Sequence, residues 1–65
     1  MRIFLNDGAH DVDAATLAAA LDSLGFGGRK IATALNGRFV AATARQATKL
    51  TDGDRIEVVA PMQGG

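Results

Sequence analysis

The stretch TLAAALDSLG, residues 16–25, predicts the main helix of the chain, from Thr16 to Leu24, and with it the class of fold. Thr16 or Asp13 can cap the start of this helix by accepting a hydrogen bond from a free backbone N–H group. Gly25 stands where a left-handed C-terminal cap is needed. Four apolar residues spaced i, i+3, i+4 and i+7 form one stripe: Leu17, Ala20, Leu21 and Leu24. A helix with one apolar face packs on a sheet that covers it.

Five segments around the helix have the alternating apolar and polar residues that are typical of strands. They span residues 1–5, 9–12, 31–35, 38–40 and 55–60. The turn residues at 6–8 and Asn36-Gly37 predict hairpins. The segment 41–50 is ambiguous, and irregular chain with a short helical turn is expected there. The alternation places Met1 and Ala60 on the inward face of the sheet.

The order strand, strand, helix, strand, strand, strand predicts an α+β roll. We expect a mixed sheet of about five strands with one main helix on one face. The first and last strands can lie side by side and parallel in the middle of this sheet.

The composition excludes several classes of function. The 65 residues make one small domain without room for a deep pocket. Seven basic residues balance seven acidic ones, which argues against a nucleic-acid or anionic-membrane surface. The lack of cysteine excludes disulfides, thiolate metal sites and cysteine nucleophiles. With no long apolar run either, the chain is expected to be a soluble, cytoplasmic protein and not an enzyme.

The C-terminal pair Gly64-Gly65 is the strongest candidate in the sequence for a reactive group. Pro61 ends the last strand, so residues 1–61 are predicted to form one domain and residues 62–65 a flexible tail. Glycine has no Cβ, so such a tail can enter a channel that side chains would block. Its carboxylate would then be an unhindered nucleophile for the α-phosphate of ATP in another protein's site. The alternative is an inert chain end.

Outward-facing apolar residues are candidates for partner binding. The alternation turns Phe4 and Val59 outward, and Met62 follows just beyond the last strand. Either Phe39 or Val40 can join them, and the hairpin pattern leaves open which of the two points outward. The competing interpretation is that these are single exposed apolar residues, which are common on soluble proteins.

Two further stretches are expected to be structural. His10 lies near three acidic residues, but across a turn and a short strand, so their side chains should not converge and no metal site is expected. These residues are Asp7, Asp11 and Asp13. The glycine-rich segment 25–30 lacks the Lys-Ser/Thr ending of a phosphate-binding loop and leads into a strand, so a plain connection is predicted.

Taken together, these motifs resemble the ThiS family of sulfur carrier proteins of thiamine biosynthesis, which have the ubiquitin-like β-grasp fold. The resemblance covers essentially the whole chain. It depends on the order and spacing of five short features: Asn6-Asp7-Gly8, Thr16-Leu17, Leu35-Asn36-Gly37, the strand beginning at Asp52-Gly53-Asp54, and Gly64-Gly65. The chain departs from the pattern at Gln63 and in the alanine-rich stretch 41–47, which affects partner details rather than the chemistry.

The resemblance implies a protein cosubstrate. Gly65 would be adenylated by a ThiF-type adenylyltransferase that uses ATP, and Gly64 would be its slender neighbour. A sulfur donor enzyme would supply the sulfur of a thiocarboxylate, which a ThiG-type thiazole synthase would consume. The carrier itself would bind no cofactor. Two alternatives stay open: a MoaD-like carrier for molybdopterin or other sulfur transfer, and a ubiquitin-like binding module or modifier.

Overall fold

The computed structural model describes residues 1–6 and 8–60. Within these ranges the elements follow the predicted order. They are β1 (Arg2–Leu5), β2 (Gly8–Asp11), α1 (Leu17–Ser23), β3 (Ala32–Leu35), β4 (Arg38–Val40), a 3₁₀ helix (Ala42–Ala47) and β5 (Ile56–Val59). The short helical turn expected within 41–50 is thus confirmed as a 3₁₀ helix, and the loop 25–30 is a connection from α1 to β3.

The strands are arranged in the order β2-β1-β5-β3-β4. β1 and β2 pair antiparallel, and β3 pairs antiparallel with both β4 and β5. The two groups meet at one parallel bridge between Phe4 and Arg55. There the Phe4 N–H group donates to the Asp54 carbonyl at 2.9 Å. The first and last strands therefore lie side by side and parallel, as predicted for a mixed α+β roll.

The ends of α1 follow from local chemistry. The helix begins after Thr16, whose Oγ1 accepts from the Ala19 N–H group at 3.2 Å. Thr16 is therefore the N-cap, and the alternative, Asp13, is wrong. The helix ends at Ser23 with Leu24 as its C-cap, and Gly25 follows with a φ of +93°, the left-handed conformation that glycine adopts without strain.

The core lies between α1 and the sheet. Its buried apolar residues come from both layers and the connecting segments: Ile3, Val12, Leu17, Ala20, Leu21, Leu50, Ile56 and Val58. Leu24 is half-buried and packs against this cluster. The helix stripe is thus confirmed as the face that covers the sheet.

The two end residues of the alternation, Met1 and Ala60, are exposed. Met1 is 43% exposed, although its ammonium group donates to the Val12 carbonyl at 2.8 Å and its carbonyl accepts from the Val12 N–H group at 2.9 Å. Ala60 is exposed where β5 has ended at Val59. Period-two alternation predicts the face on which a side chain lies, but not whether the end of a strand is covered.

The β3–β4 hairpin is fixed to the start of β5. Asn36 and Gly37 have φ values of +51° and +84°, as a type I′ turn requires. The Asn36 Nδ2 donates to Asp54 Oδ1 at 2.9 Å, and the Thr51 N–H group donates to Asp54 Oδ2 at 2.7 Å. These two donors, the Asn36 side chain first, hold the pKa of Asp54 below its ordinary value.

This contact predicts a pH dependence of stability. Because the pKa of Asp54 is lowered by folding, its stabilising contribution is present above about pH 4 and is lost as the pH falls through the lower folded value. We expect Asp54→Asn to be less stable than the parent at pH 7, and the difference to shrink on acidification. Urea unfolding of both proteins from pH 7 down to about pH 2 measures it. A difference that is constant over this range would contradict the prediction.

Candidate functional site

The predicted tail follows β5 in the sequence. Gly64, Gly65 and Met62 lie outside the described residues, so their predicted roles and the predicted flexibility of residues 62–65 stay predictions. The structure does describe the strand from which this segment departs. β5 runs from Ile56 to Val59 in the middle of the sheet, between β1 and β3.

An asparagine side chain binds the backbone at the start of β5. The Asn36 Oδ1 accepts from the Arg55 N–H group at 2.9 Å. The Asn36 N–H group in turn donates to the Arg55 carbonyl at 2.8 Å. Arg55 is thus held by both the backbone and the side chain of the β3–β4 turn.

A second asparagine binds β5 near its end. The Asn6 Nδ2 donates to the Val58 carbonyl at 2.6 Å, and the Asn6 Oδ1 accepts from the Val58 N–H group at 3.0 Å. The sequence identifies Asn6 only as a turn residue. No local pattern could have revealed this contact, because Val58 is 52 positions away.

The outer face of the sheet carries the exposed apolar residues. Phe4 is 41% exposed, Val59 is 64% exposed and Phe39 is 75% exposed, so the predicted outward positions are confirmed. Val40 is half-buried, which settles the open choice in favour of Phe39. We call Phe4, Phe39 and Val59 the outer apolar set.

Cross-strand pairing connects the members of this set. Ala34 lies opposite both Phe39 on β4 and Glu57 on β5. Phe39, Val59 and Glu57 line one shallow cleft of about 240 Å³. Glu57 also lines a second cleft, which contains Phe4. The outer apolar set therefore extends across the sheet around one acidic side chain, on the face opposite α1.

The groove beside the glycine-rich loop is lined by an arginine whose hydrogen bonds hold the fold together. It has a volume of about 370 Å³ and lies between α1, the loop 25–30 and the 3₁₀ helix. Its Arg45 donates from Nε to Thr33 Oγ1 at 2.9 Å and from a terminal nitrogen to the Ile31 carbonyl at 2.7 Å. These bonds fix the 3₁₀ helix to the start of β3, so Arg45 is used in holding the fold together.

The described ranges 1–6 and 8–60 contain no group of three or more His, Asp or Glu side chains placed to hold a metal ion. His10 lies on β2 opposite Ile3, and Asp7 is outside the described residues. No helix in the same ranges is long and apolar enough to cross a membrane.

Comparison with known proteins identifies the family. The family model of the ThiS family matches residues 4–65. The chain belongs to the ThiS family. ThiS proteins are small sulfur carriers of thiamine biosynthesis with the ubiquitin-like β-grasp fold, and the strand order β2-β1-β5-β3-β4 with one covering helix is that fold.

Two solved structures of ThiS proteins are similar to the chain. A crystal structure of the thiamine biosynthesis protein ThiS from Geobacter metallireducens is 29% identical, covers 100% of both chains and superposes with a TM-score of 0.82. A solution NMR structure of a thiamine biosynthesis protein from Geobacter metallireducens is 29% identical, with a TM-score of 0.76, over 100% of this chain and 88% of the other. A comparison with curated proteins gives no match.

Proposed function

We propose that this ThiS-family protein carries sulfur for thiazole formation on the carboxylate of Gly65. The observation that carries the proposal is the extent of the family match, which runs to residue 65 and so includes Gly64-Gly65. The composition agrees, since the chain has no cysteine on which sulfur could be held. In this role the protein is a cosubstrate, and the enzymes that activate and use it supply the catalytic groups.

The chemistry takes place in two steps. An oxygen of the Gly65 carboxylate attacks the α-phosphorus of ATP, and the bond to the departing pyrophosphate breaks, which leaves an acyl-adenylate. A sulfur nucleophile at the oxidation level of sulfide, supplied by a sulfur donor enzyme, then attacks the acyl carbon and displaces AMP. The product is a thiocarboxylate. Splitting the transfer through an activated acyl group replaces one difficult displacement with two easier ones.

The partners follow from these steps. A ThiF-type adenylyltransferase binds ATP and the tail, and a ThiG-type thiazole synthase receives the sulfur. The outer apolar set is the surface that we assign to docking, with Met62 of the tail beside it in sequence. Phe39 and Val59 are large, exposed and lie on one cleft, and Glu57 between the clefts offers a contact for a basic residue of a partner.

The test uses the full chain and a ThiF-type enzyme. ATP–pyrophosphate exchange that depends on the carrier reports adenylation of its C-terminus. Intact mass after addition of a sulfur donor then shows exchange of one oxygen for one sulfur, and fragmentation of the protein places the change at Gly65. Absence of exchange, or isopeptide-linked conjugates in cells in place of a thiocarboxylate, would support a ubiquitin-like binding module or modifier instead.

A further inference from the structure

The structure assigns a further role to Asn6, and we propose that it positions the C-terminal tail. Its side chain fixes the last part of β5, and so sets the direction in which the chain leaves the sheet toward the activating enzyme. This inference rests on the proposed function. Asn6 is a positioning residue: its side-chain amide bonds to the backbone of Val58, and it acts through Val58 and the residues that follow.

The contact between Asn6 and Val58 takes the place of backbone hydrogen bonding between β1 and β5. β1 and β5 run parallel and are joined at Phe4 and Arg55. In a continued parallel ladder the backbone of Asn6 would bind the Val58 N–H group. Instead β1 ends at Leu5, which already pairs with Gly8 on the returning strand. The planar side-chain amide of Asn6 offers one acceptor and a donor, as a peptide group does, and takes over both backbone groups of Val58.

Because the contact lies near the end of β5, it affects the direction in which the tail departs. On its other side, β5 is held by β3, and that pairing ends with Val59 opposite Ala32, the first residue of β3. Without the Asn6 amide, the end of β5 would be held from one side alone and could pivot about β3. Ala60, the last described residue before the tail, is two residues beyond Val58, up to about 7 Å away when the chain is extended. A rotation of about 10° at Val58 would move the point from which the tail departs by about 1 Å.

Displacement of this size matters for a positioned reaction. A misplacement of about 1 Å can reduce a rate by about 100-fold. Asn6 borders the cleft that contains Phe4, but an Asn6 variant keeps the side chains of Phe4, Phe39 and Val59, so docking to the enzyme should be largely retained. The expected defect is therefore in kcat of activation rather than in KM for the carrier.

Asn36 provides a matched control within the same chain. It also uses a side-chain amide to bind the β5 backbone, but at Arg55, the end of β5 away from the tail. Asn36→Gly removes its side-chain bonds and keeps a residue that tolerates the positive φ of the turn. Asn6→Ala removes the two bonds to Val58. Both asparagines are exposed, so both variants should fold.

The experiment measures ATP–pyrophosphate exchange with a ThiF-type enzyme, together with amide hydrogen exchange at Val58. For Asn6→Ala we expect kcat to fall by about 10- to 100-fold, with KM for the carrier changed by less than about 3-fold. The Val58 amide should exchange about tenfold faster. Asn6→Asp keeps the shape but loses the donor, so it should be impaired like Asn6→Ala. Asn36→Gly should keep the parental kcat.

The possible results separate this inference from the proposed function. If the parent is activated and Asn6→Ala keeps its kcat, or loses no more than Asn36→Gly, the role of Asn6 is overturned. If Asn6→Asp keeps the parental kcat, the bond donated to the Val58 carbonyl is not required, and the inference that the amide positions the tail through both bonds fails. If the parent itself is not activated, the proposed function fails. In that case the hydrogen-exchange rate of the Val58 amide still tests whether Asn6 holds the end of β5. An unchanged rate in Asn6→Ala overturns the positioning role, and a faster rate supports it.

Discussion

Replacing Leu21 with alanine is expected to lower the free energy of unfolding by about 2–5 kcal/mol. Leu21 is 4% exposed and lies in the core cluster that joins α1 to the sheet. The substitution removes apolar contacts and leaves a cavity that a well-packed core fills only in part. A domain of 65 residues has about 3–10 kcal/mol of stability in total. The loss is therefore a large share, and the variant can be partly unfolded at 37 °C.

Leu24→Ala is the matched control for this prediction. It is the same substitution in the same helix stripe, but Leu24 is the C-cap, is only half-buried, and packs against the core cluster without being one of its buried members. We expect its effect to be less than half that of Leu21→Ala. Thermal and urea unfolding of the parent and both variants give the comparison. Equal melting temperatures for the parent and Leu21→Ala would show that the helix stripe does not support the sheet.

The features that could be predicted from the sequence depend on neighbours along the chain. Thr16 caps a helix whose first turn follows it directly, and Gly25 ends that helix through its own φ. Asn36 and Gly37 define a type I′ turn by themselves. Because helix stripes, caps and two-residue turns are local, their residues predict them before any tertiary contact is known. The order of these elements then restricts the fold to one helix on a mixed sheet.

The features that could not be predicted depend on residues far apart in the sequence. Asn6 is of a residue type that is common in turns, and its bonds to Val58 form only once β1 lies beside β5. Arg45 resembles any exposed basic residue, yet it holds Thr33 and the Ile31 carbonyl. Short strands also leave the orientation of a hairpin face open, which is why Phe39 and Val40 could not be separated by pattern alone.

The candidate site combines both kinds of feature. The outward positions of Phe4 and Val59 follow from alternation, whereas their connection through Glu57 and Ala34 requires the strand order. The chemical end of the molecule, Gly65, is identified by its residue type and by the family match. The fold contributes a central strand that is held at both ends by asparagine side chains and is followed directly by the tail.

Deleting Gly65 is expected to reduce activation by a ThiF-type enzyme by about 100-fold or more. The deletion leaves Gly64 as the terminus and shortens the reach of the tail by about 3.3 Å, well beyond the misplacement that a positioned reaction tolerates. The five strands within residues 1–6 and 8–60 end by Val59, so the melting temperature should stay at the parental value. ATP–pyrophosphate exchange at saturating ATP, with carrier concentration varied, separates a loss of kcat from a loss of docking.

Gly65→Ala is the control that keeps the length of the tail. It retains a terminal carboxylate at the same distance from β5 and adds one methyl group next to it. If the partner's channel is narrow, Gly65→Ala is also slow, because a Cβ now has to pass where glycine has none. If length alone matters, Gly65→Ala is activated like the parent while the deletion is not. Normal activation of the deletion variant would show that the carboxylate of Gly65 is not the reacting group, and a binding module acting through the outer apolar set would then explain the protein better.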